Sequence, residues 1–572
     1  MKRTSRHAAA FLLAFAVLFV SAHASFAAAV TQKPQEAEKQ AQKGADYLRT
    51  GQWKKAAESY QKALRVNPNH VEASFGLGVA YMNLKQPADA LTAFSGVIRL
   101  KPNPRVQEAL RDTALLLFDM QRFKESAENF EQALQLGDIP PSNHYFLGKA
   151  YMQLDRSREA LVSLKRATSD QQFAQDSYLS MGILHLKQEE KAEAVADLER
   201  AVQLNPNSGL SQIFLGGAYL FSERYAEAEG VLRKGLSLDA TRPFGFYWLG
   251  VALNELNQSE QAVTAFEVAL RLQPQFPEAQ IGLGAAYNRL NRFREAMALF
   301  EQALREKPDA PEPYFGMCEV YYAQGQYTAM LSTAQQALKL APKNATGHAV
   351  LAVSYAVPGR MQEATQEARE ALRLAPDSFF PHNILGYIYV RTDHPQEALA
   401  EARQAVRLRP NHSNSLNLLG YALNQLGQHQ EALAVSQQAL TLPHEPGETG
   451  WSYYNIATAF DKLNRHDEAL EAYRQSLAAY QQLGRTLDPD ELYLMGNSYL
   501  RLEQDEQAVA AFRQSIKIRP TFAQSHFNLG VAYNAMGDRK GALEEYNALK
   551  ALDPARAARL SALIGGKPVK KR

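Results

Sequence analysis

A column of small residues recurs through this 572-residue sequence at a nearly fixed interval: Gly44, Gly78, Ala114, Gly148, Gly182, Gly216, Gly250, Gly284, Cys318, Ala352, Gly386, Gly420, Ala457, Gly496 and Gly530. Most steps are 34 residues, and the exceptions are 36 after Gly78, 37 after Gly420 and 39 after Ala457. A period of this length marks stacked copies of one supersecondary unit. A second column, mostly alanine, lies 12 residues later, from Ala56 and Ala90 to Ala508 and Ala542. Proline closes many units, as at Pro68, Pro206, Pro308 and Pro554. It cannot continue a helix interior, so it ends one unit and resets the chain for the next.

Within a unit the apolar residues follow helical spacing. Leu283-Gly284-Ala285-Ala286-Tyr287 forms the middle of one helix and Asn291-Arg292-Phe293 the turn. Ala296, Phe300, Ala303 and Leu304 then stripe a second helix at i, i+4, i+7 and i+8. Two antiparallel helices approach closely only where one presents a small side chain and the other fits an aromatic or aliphatic group into the gap. Each pair leaves an apolar flank that the next pair covers, so stability is a nearest-neighbour sum along the stack.

These residues resemble the tetratricopeptide repeat family, whose pattern is Leu-Gly-x-x-Tyr, a turn, Ala-x-x-x-Phe/Tyr-x-x-Ala-Leu and Pro. It stands here as Leu283-Gly284, Tyr287, Ala296, Phe300, Ala303-Leu304 and Pro308, and the resemblance covers about residues 37–556. It implies an all-α fold, a right-handed superhelical solenoid of about fifteen antiparallel helix pairs, and a protein-binding role.

The expected organisation is a signal peptide over residues 1–27, a short linker over 28–36, repeats 1–12 over 37–446, repeats 13–15 over 447–556, and a capping helix end with a basic tail over 557–572. Lys2, Arg3 and Arg6 precede an apolar run of 13 residues, Ala8 to Val20, and small-residue cleavage sites follow at Ala22-His23-Ala24 and Ser25-Phe26-Ala27. An uncleaved anchor is the alternative, although the run is short for a spanning helix. The short basic start suggests a bacterium, and the expected location is exported, periplasmic or secreted. No cysteine follows the leader for lipid attachment, and Cys318, the only cysteine, has no disulfide partner. The longer steps are expected to place extra residues in inter-repeat turns, at Pro443 to Gly447 and Gly484 to Pro489. Leu560, Leu563 and Ile564 are expected to cap the last apolar flank.

Without its leader the chain carries 59 basic and 60 acidic residues. That balance gives no bulk electrostatic reason to bind nucleic acid or an anionic membrane. Catalytic signatures are not found. Gly76-Leu77-Gly78 and Gly282-Leu283-Gly284 lack the third glycine of a dinucleotide fingerprint and sit inside helices, and Gly565-Gly566-Lys567 lacks the spacing of a phosphate loop. The 13 histidines form no metal spacing. Cys318 reads as a core substitution in the small column. The expectation is a non-enzyme with no cofactor and no metal.

In this family the first helix of each pair lines the concave face. Carried over to this sequence, Phe214, Phe244 and Tyr247 are aromatic candidates there, open to two roles: anchoring a partner, or packing between neighbouring helices. Toward the C-terminus the same face becomes amide- and tyrosine-rich, with Asn383, Tyr387, Asn417, Tyr421, Asn424, Tyr454, Asn455, Tyr493, Asn497, Phe527 and Asn528. An amide both donates and accepts, so a row of them suits an extended peptide backbone. The row is similar to the asparagine ladder of O-linked N-acetylglucosamine transferases, though these residues do not keep one column. The carboxylate clamp of chaperone-binding members is not reproduced, because Lys149 stands beside Tyr145 and Arg111 beside Asp112. The expected function is an exported scaffold that holds a protein or extended peptide. Two alternatives stand beside it: a structural part of envelope machinery such as polysaccharide export or pilus assembly, and a non-catalytic partner of a glycosyltransferase.

Overall fold

In the computed structural model, residues 33–442 and 446–565 are described. The expected leader, most of the linker, Pro443 to Glu445 and the basic tail lie outside them. The first helix spans 33–49, so residues 33–36 of the expected linker are already helical. All regular structure among the described residues is helical. The residues form two compact units, one ending at Ser222 and the other beginning at Glu223. The first holds repeats 1–5 and the leading helix of repeat 6; the second holds the remaining helices, closed by Pro554–Gly565.

Most repeats are built on one close approach. In repeat 8 the helices are Pro277–Arg289 and Phe293–Glu306. A Cβ built on Gly284 would lie 2.7 Å from the Phe300 ring. The same clash arises between Gly78 and Phe94 (2.5 Å), Gly148 and Leu164 (2.7 Å), Gly250 and Phe266 (2.7 Å), and Gly496 and Phe512 (2.5 Å). Each of these large partners is buried to within 1% of its surface. The alanine column is buried beside them, and where repeat 3 carries Ser126 its hydroxyl donates to the Ala114 carbonyl at 2.7 Å. Cys318 holds its small-column place in the core. Its Sγ donates to the Met330 carbonyl at 3.5 Å, and burial, with the neighbouring Glu319 charge, pushes its thiol up to about 12.

Repeats 9 to 12 differ. The large partner is replaced by Ala334, Ala368, Ala402 and Ser436, all buried. In repeat 11 the gap at Gly386 is filled from the next repeat, where Leu418 would lie 2.7 Å from an added Cβ. In repeat 13 the extra residues lengthen the helices, which run Pro446–Lys462 (17 residues) and His466–Gln481 (16 residues). This corrects the expectation that they all lie in turns. Pro446 sits at the first helical position, where its missing N–H removes nothing the helix needs.

A further column went unseen in the sequence. The residue seven beyond each small position has positive φ in all fifteen repeats: Gly in five of them and Lys85, Gln121, Asp155, Glu189, Glu223, Asn257, Asn291, Asp393, Asn464 and Glu503 in the others. A non-glycine residue in this left-handed conformation costs about 1–2 kcal/mol. The backbone recovers hydrogen bonds there: Asn291 N donates to Asn288 O at 2.9 Å and Arg292 N to Tyr287 O at 2.8 Å. These satisfy carbonyls that the end of the first helix would otherwise leave open.

The terminal helix Pro554–Gly565 covers the last repeat through Leu560, fully buried against Gly530, and Ile564. Leu563 points to solvent at 42% exposure, correcting its expected place in the cap.

The close-approach account predicts opposite effects at two glycines of the second unit. Gly284→Val should lower stability by about 1–3 kcal/mol through overpacking against Phe300. Gly230→Ala, with nothing within 4 Å of the new methyl, should raise it by about 0.5–1 kcal/mol. Urea unfolding followed by circular dichroism reads both, and a neutral Gly284→Val would remove the argument.

Candidate functional site

The second unit carries long-range contacts beyond its neighbour-to-neighbour stacking. Turns inside its early repeats meet chain four or five repeats further on. Arg409 Nε pairs with Glu223 at 2.9 Å and its Nη2 donates to the Tyr225 hydroxyl at 2.7 Å. Thr486 N donates to Ala323 O at 3.0 Å, Tyr322 OH to Asp488 Oδ2 at 2.5 Å, and Arg519 Nε to Val357 O at 2.8 Å. Arg556 pairs with Asp393 at 2.5 Å. The Gly484–Pro489 segment, expected as an irregular turn or bend, is thus docked against repeats 8 and 9.

Asp490 is the centre of this closure. The Pro489–Arg501 helix begins with a capping box, in which Asp488 accepts from the Asp490 and Glu491 N–H groups at 2.8 and 2.7 Å. Proline at its first position presets the helical φ. Asp490 therefore sits in a fixed first turn, facing Arg391 Nε at 2.7 Å and Arg519 Nη2 at 2.9 Å. Tyr387 donates its hydroxyl to the same carboxylate and accepts from Arg519 at 3.1 Å. Arg519 is 1% exposed, Asp490 5% and Arg391 8%. Burial alone would raise the Asp490 carboxyl, but the two guanidinium charges outweigh it and hold it below its ordinary value. Its neighbour Glu491 is pushed up to about 7 by burial and the Asp488 charge, against the pull of Arg485, whose Nη2 lies 2.6 Å away.

Beside this cluster a cavity of about 900 Å³ is lined by repeats 7–12 and by the chain of repeats 13–14. Apolar side chains such as Phe315, Val353, Ile384 and Leu494 form part of its wall, and Asn383 and Tyr387 face it.

The structure brings the C-terminal candidates together, but as partners of one another. Asn417 and Asn455 are fully buried, which corrects their expected place on an open groove. Asn417 Nδ2 donates to Glu448 O at 3.0 Å, Asn455 Nδ2 to Asn417 O at 2.8 Å, and Asn424 Nδ2 to Asn455 O at 2.9 Å. Amides on neighbouring first helices are within reach of each other's backbone, and an unpaired buried backbone group is costly. Asn497 Nδ2 donates to the Tyr454 hydroxyl at 3.1 Å, and Asn528 Nδ2 to Asn497 Oδ1 at 2.6 Å. Tyr421 stacks on Tyr454 with centroids 6.5 Å apart, Tyr493 packs against Phe512 and Phe522, and the Arg559 guanidinium lies 5.1 Å from the Phe527 ring.

The aromatic candidates stay half-buried. In the first unit Phe214 lies on the Gly209–Phe221 helix. In the second, Phe244 meets Trp248 edge-on at 5.2 Å and Tyr247 packs against Phe276 at 5.2 Å. The first unit also groups Tyr145, stacked on Phe173 at 4.8 Å, with Lys149, whose Nζ donates to Ser180 at 3.5 Å and whose ammonium burial holds below its ordinary value. Asp112 is raised to about 6 by burial and Glu108, against Arg111.

Arg391, Asp490 and Arg519 were not singled out in the sequence. The available signal was local, an Asp-Pro-Asp-Glu helix start at 488–491; their convergence depends on contacts between distant repeats.

Stacked helix pairs, most of them with a small-to-large contact, define a helical-repeat protein-interaction scaffold. Tetratricopeptide repeat models match residues 42–103, 179–243, 247–311, 289–353, 382–412, 411–482 and 523–556, and a TPR repeat model matches 496–537. The chain belongs to the tetratricopeptide repeat family. It is 27% identical over 143 residues to Protein O-mannosyl-transferase TMTC3 of Homo sapiens, a match covering 24% of this chain and 15% of that protein. It is also similar to the crystal structure of the APC/C hetero-tetramer Cut9-Hcn1, with a TM-score of 0.48 and 15% identity over 86% of this chain and 95% of that one. Among the described residues no helix is long and apolar enough to cross a membrane, and no group of three side chains is placed to hold a metal.

Asp490→Asn tests the closure. Leaving two buried guanidinium groups without their counter-charge should destabilise the second unit by about 3–5 kcal/mol. Hydrogen exchange should quicken over Gly484 to Arg501 and in repeats 10 and 11. The wild-type carboxyl is depressed in the folded state, so its contribution is present above its unfolded pKa of about 3.9 and lost as pH falls through the lower folded value. A variant with unchanged stability and exchange would leave the ion cluster without a structural role.

Proposed function

We propose that this chain is an exported, non-catalytic scaffold, periplasmic or secreted, that holds protein partners on the inner faces of its helix pairs. The carrying observation is that tetratricopeptide helix pairs run through the described residues. Partners drawn from envelope assembly machinery fit that location. Export rests on the basic start, apolar run and small-residue cleavage sites of residues 1–27.

The amides of repeats 12–15 are bonded within the protein, which supports a partner site elsewhere. We assign it to the half-buried aromatics Phe244 and Tyr247 of the second unit, with Phe214 of the first unit as a separate candidate. Aromatic side chains supply large apolar area and are frequent anchors at interfaces. Amides already bonded to neighbouring helices would have to break those bonds to take a peptide.

Affinity capture of tagged protein from the native exported fraction tests this reading. Truncating an interface anchor costs about 2 kcal/mol or more, so Phe244→Ala with Tyr247→Ala should reduce a captured partner at least about thirtyfold in affinity. Asn528→Ala should leave it bound. A partner retained by the aromatic variant and lost from Asn528→Ala would move the site to the C-terminal face. Mass spectrometry of the secreted chain should show an N-terminus after Ala24 or Ala27, and a retained Met1 would remove the cleaved-leader reading.

A second reading, a non-catalytic partner of a glycosyltransferase, is favoured by the partial similarity to TMTC3. Glycosyl transfer in the captured complex, absent from the purified chain alone, would support it.

A further inference from the structure

The cavity of the second unit is lined by residues that carry polar groups the protein does not satisfy by itself. Asn288 Oδ1, Asn383 Oδ1, Trp451 Nε1 and the Tyr480 hydroxyl are buried atoms without a hydrogen-bond partner, and all four residues line it. Tyr480 is 2% exposed and Asn383 9%. Proteins rarely leave such atoms unpaired, because each loses its water without replacement. Four such residues in the wall of one cavity are more than an isolated packing fault.

The remaining wall sets the chemistry. At about 900 Å³ the space has the size of a small-molecule site. Phe315, Val353, Ile384 and Leu494 offer an apolar bed. Six acidic side chains line it against three guanidinium groups, and Arg519 behind Asp490 brings the cations to four; with Glu491 pushed up to about 7, the five other carboxylates still outnumber the cations. The field in the cavity therefore favours positive charge, and its low-dielectric walls strengthen that preference. The amide oxygens of Asn288 and Asn383 accept hydrogen bonds, and the Trp451 indole donates one.

We infer that this cavity binds an amphipathic organic amine: an ammonium group donating to the Asn383 oxygen, an apolar body against the aliphatic wall, and an oxygen accepting from Trp451 or Tyr480. The site is internal to the second unit and separate from the aromatics assigned to protein partners. It gives a scaffold a second, small-molecule ligand. Since the wall comes from both repeats 7–12 and the docked repeats 13–14, a bound amine also holds the closure shut.

Titration calorimetry on the full chain tests this with three probes sharing one apolar body: 4-phenylbutylamine, 4-phenylbutanol and 4-phenylbutyrate. The amine should bind at least about tenfold more tightly than the carboxylate, with the alcohol between them. Asn383→Leu removes the acceptor and keeps the bulk, and should weaken the amine about tenfold while leaving the alcohol unchanged. Retained alcohol binding shows the variant's cavity intact. Should Asn383→Leu fail to fold, Asn383→Ala carries the same test. Equal binding of all three probes, tighter carboxylate binding, no binding, or an asparagine variant with undiminished amine affinity would each overturn the proposal. Partner capture by Asn383→Leu keeps this result distinguishable from a failure of the scaffold reading.

Discussion

The approach of two helix backbones at a residue too small to hold them apart underlies the rest of this structure. Gly284 against Phe300, or Gly496 against Phe512, leaves no room for even a methyl group. Once that contact sets the pair, the alanine column is buried, the turn is forced into its left-handed residue, and the flank presented to the next pair follows. Dense interior packing makes such contacts intolerant of a single added carbon. Repeats 9 to 12 solve the same problem differently. With alanine or serine in place of the ring, the gap at Gly386 is filled by Leu418 of the following repeat. A contact within one pair thereby becomes a contact between pairs.

What was legible in the sequence was what repeats locally. The small and alanine columns, the helix pairs and the core position of Cys318 depend on residues within half a repeat of each other, so their spacing is visible in the chain itself. The left-handed column was hidden for a different reason. Ten of its members are Lys, Gln, Asp, Glu or Asn, residue types equally at home in any solvent-facing turn. The backbone hydrogen bonds that hold them there leave no mark on composition. The site was harder still. Tyr387 and Asp490 are 103 residues apart and Tyr387 and Arg519 are 132 apart, and no periodicity announces which repeats will meet.

The asparagines show how one feature supports two opposite readings. An amide on a first helix can bond a bound peptide or the backbone of the adjacent helix, and the residue type does not choose. In repeats 12 and 13 the adjacent helix takes it: Asn424, Asn455 and Asn417 hand hydrogen bonds from one helix to the next. Polar networks of this kind specify register strongly, since an offset of one residue would strand several buried groups together. They suit the part of the unit where large side chains are scarce and apolar packing alone discriminates less between alternatives.

The docking of Arg519 on Val357 and of Arg556 on Asp393 changes the kind of object the second unit is. A plain stack of repeats behaves like a row of weakly coupled elements: its ends fray first, and losing a terminal element weakens only its neighbour. Here the last elements are fastened to ones 162 residues back along the chain, so the terminus is not a free end. Melting from that side must break contacts in the middle of the row at the same moment. The unit should therefore unfold as a single cooperative block, and its assembly must wait for the late repeats to close on the early ones, as in folds dominated by distant contacts.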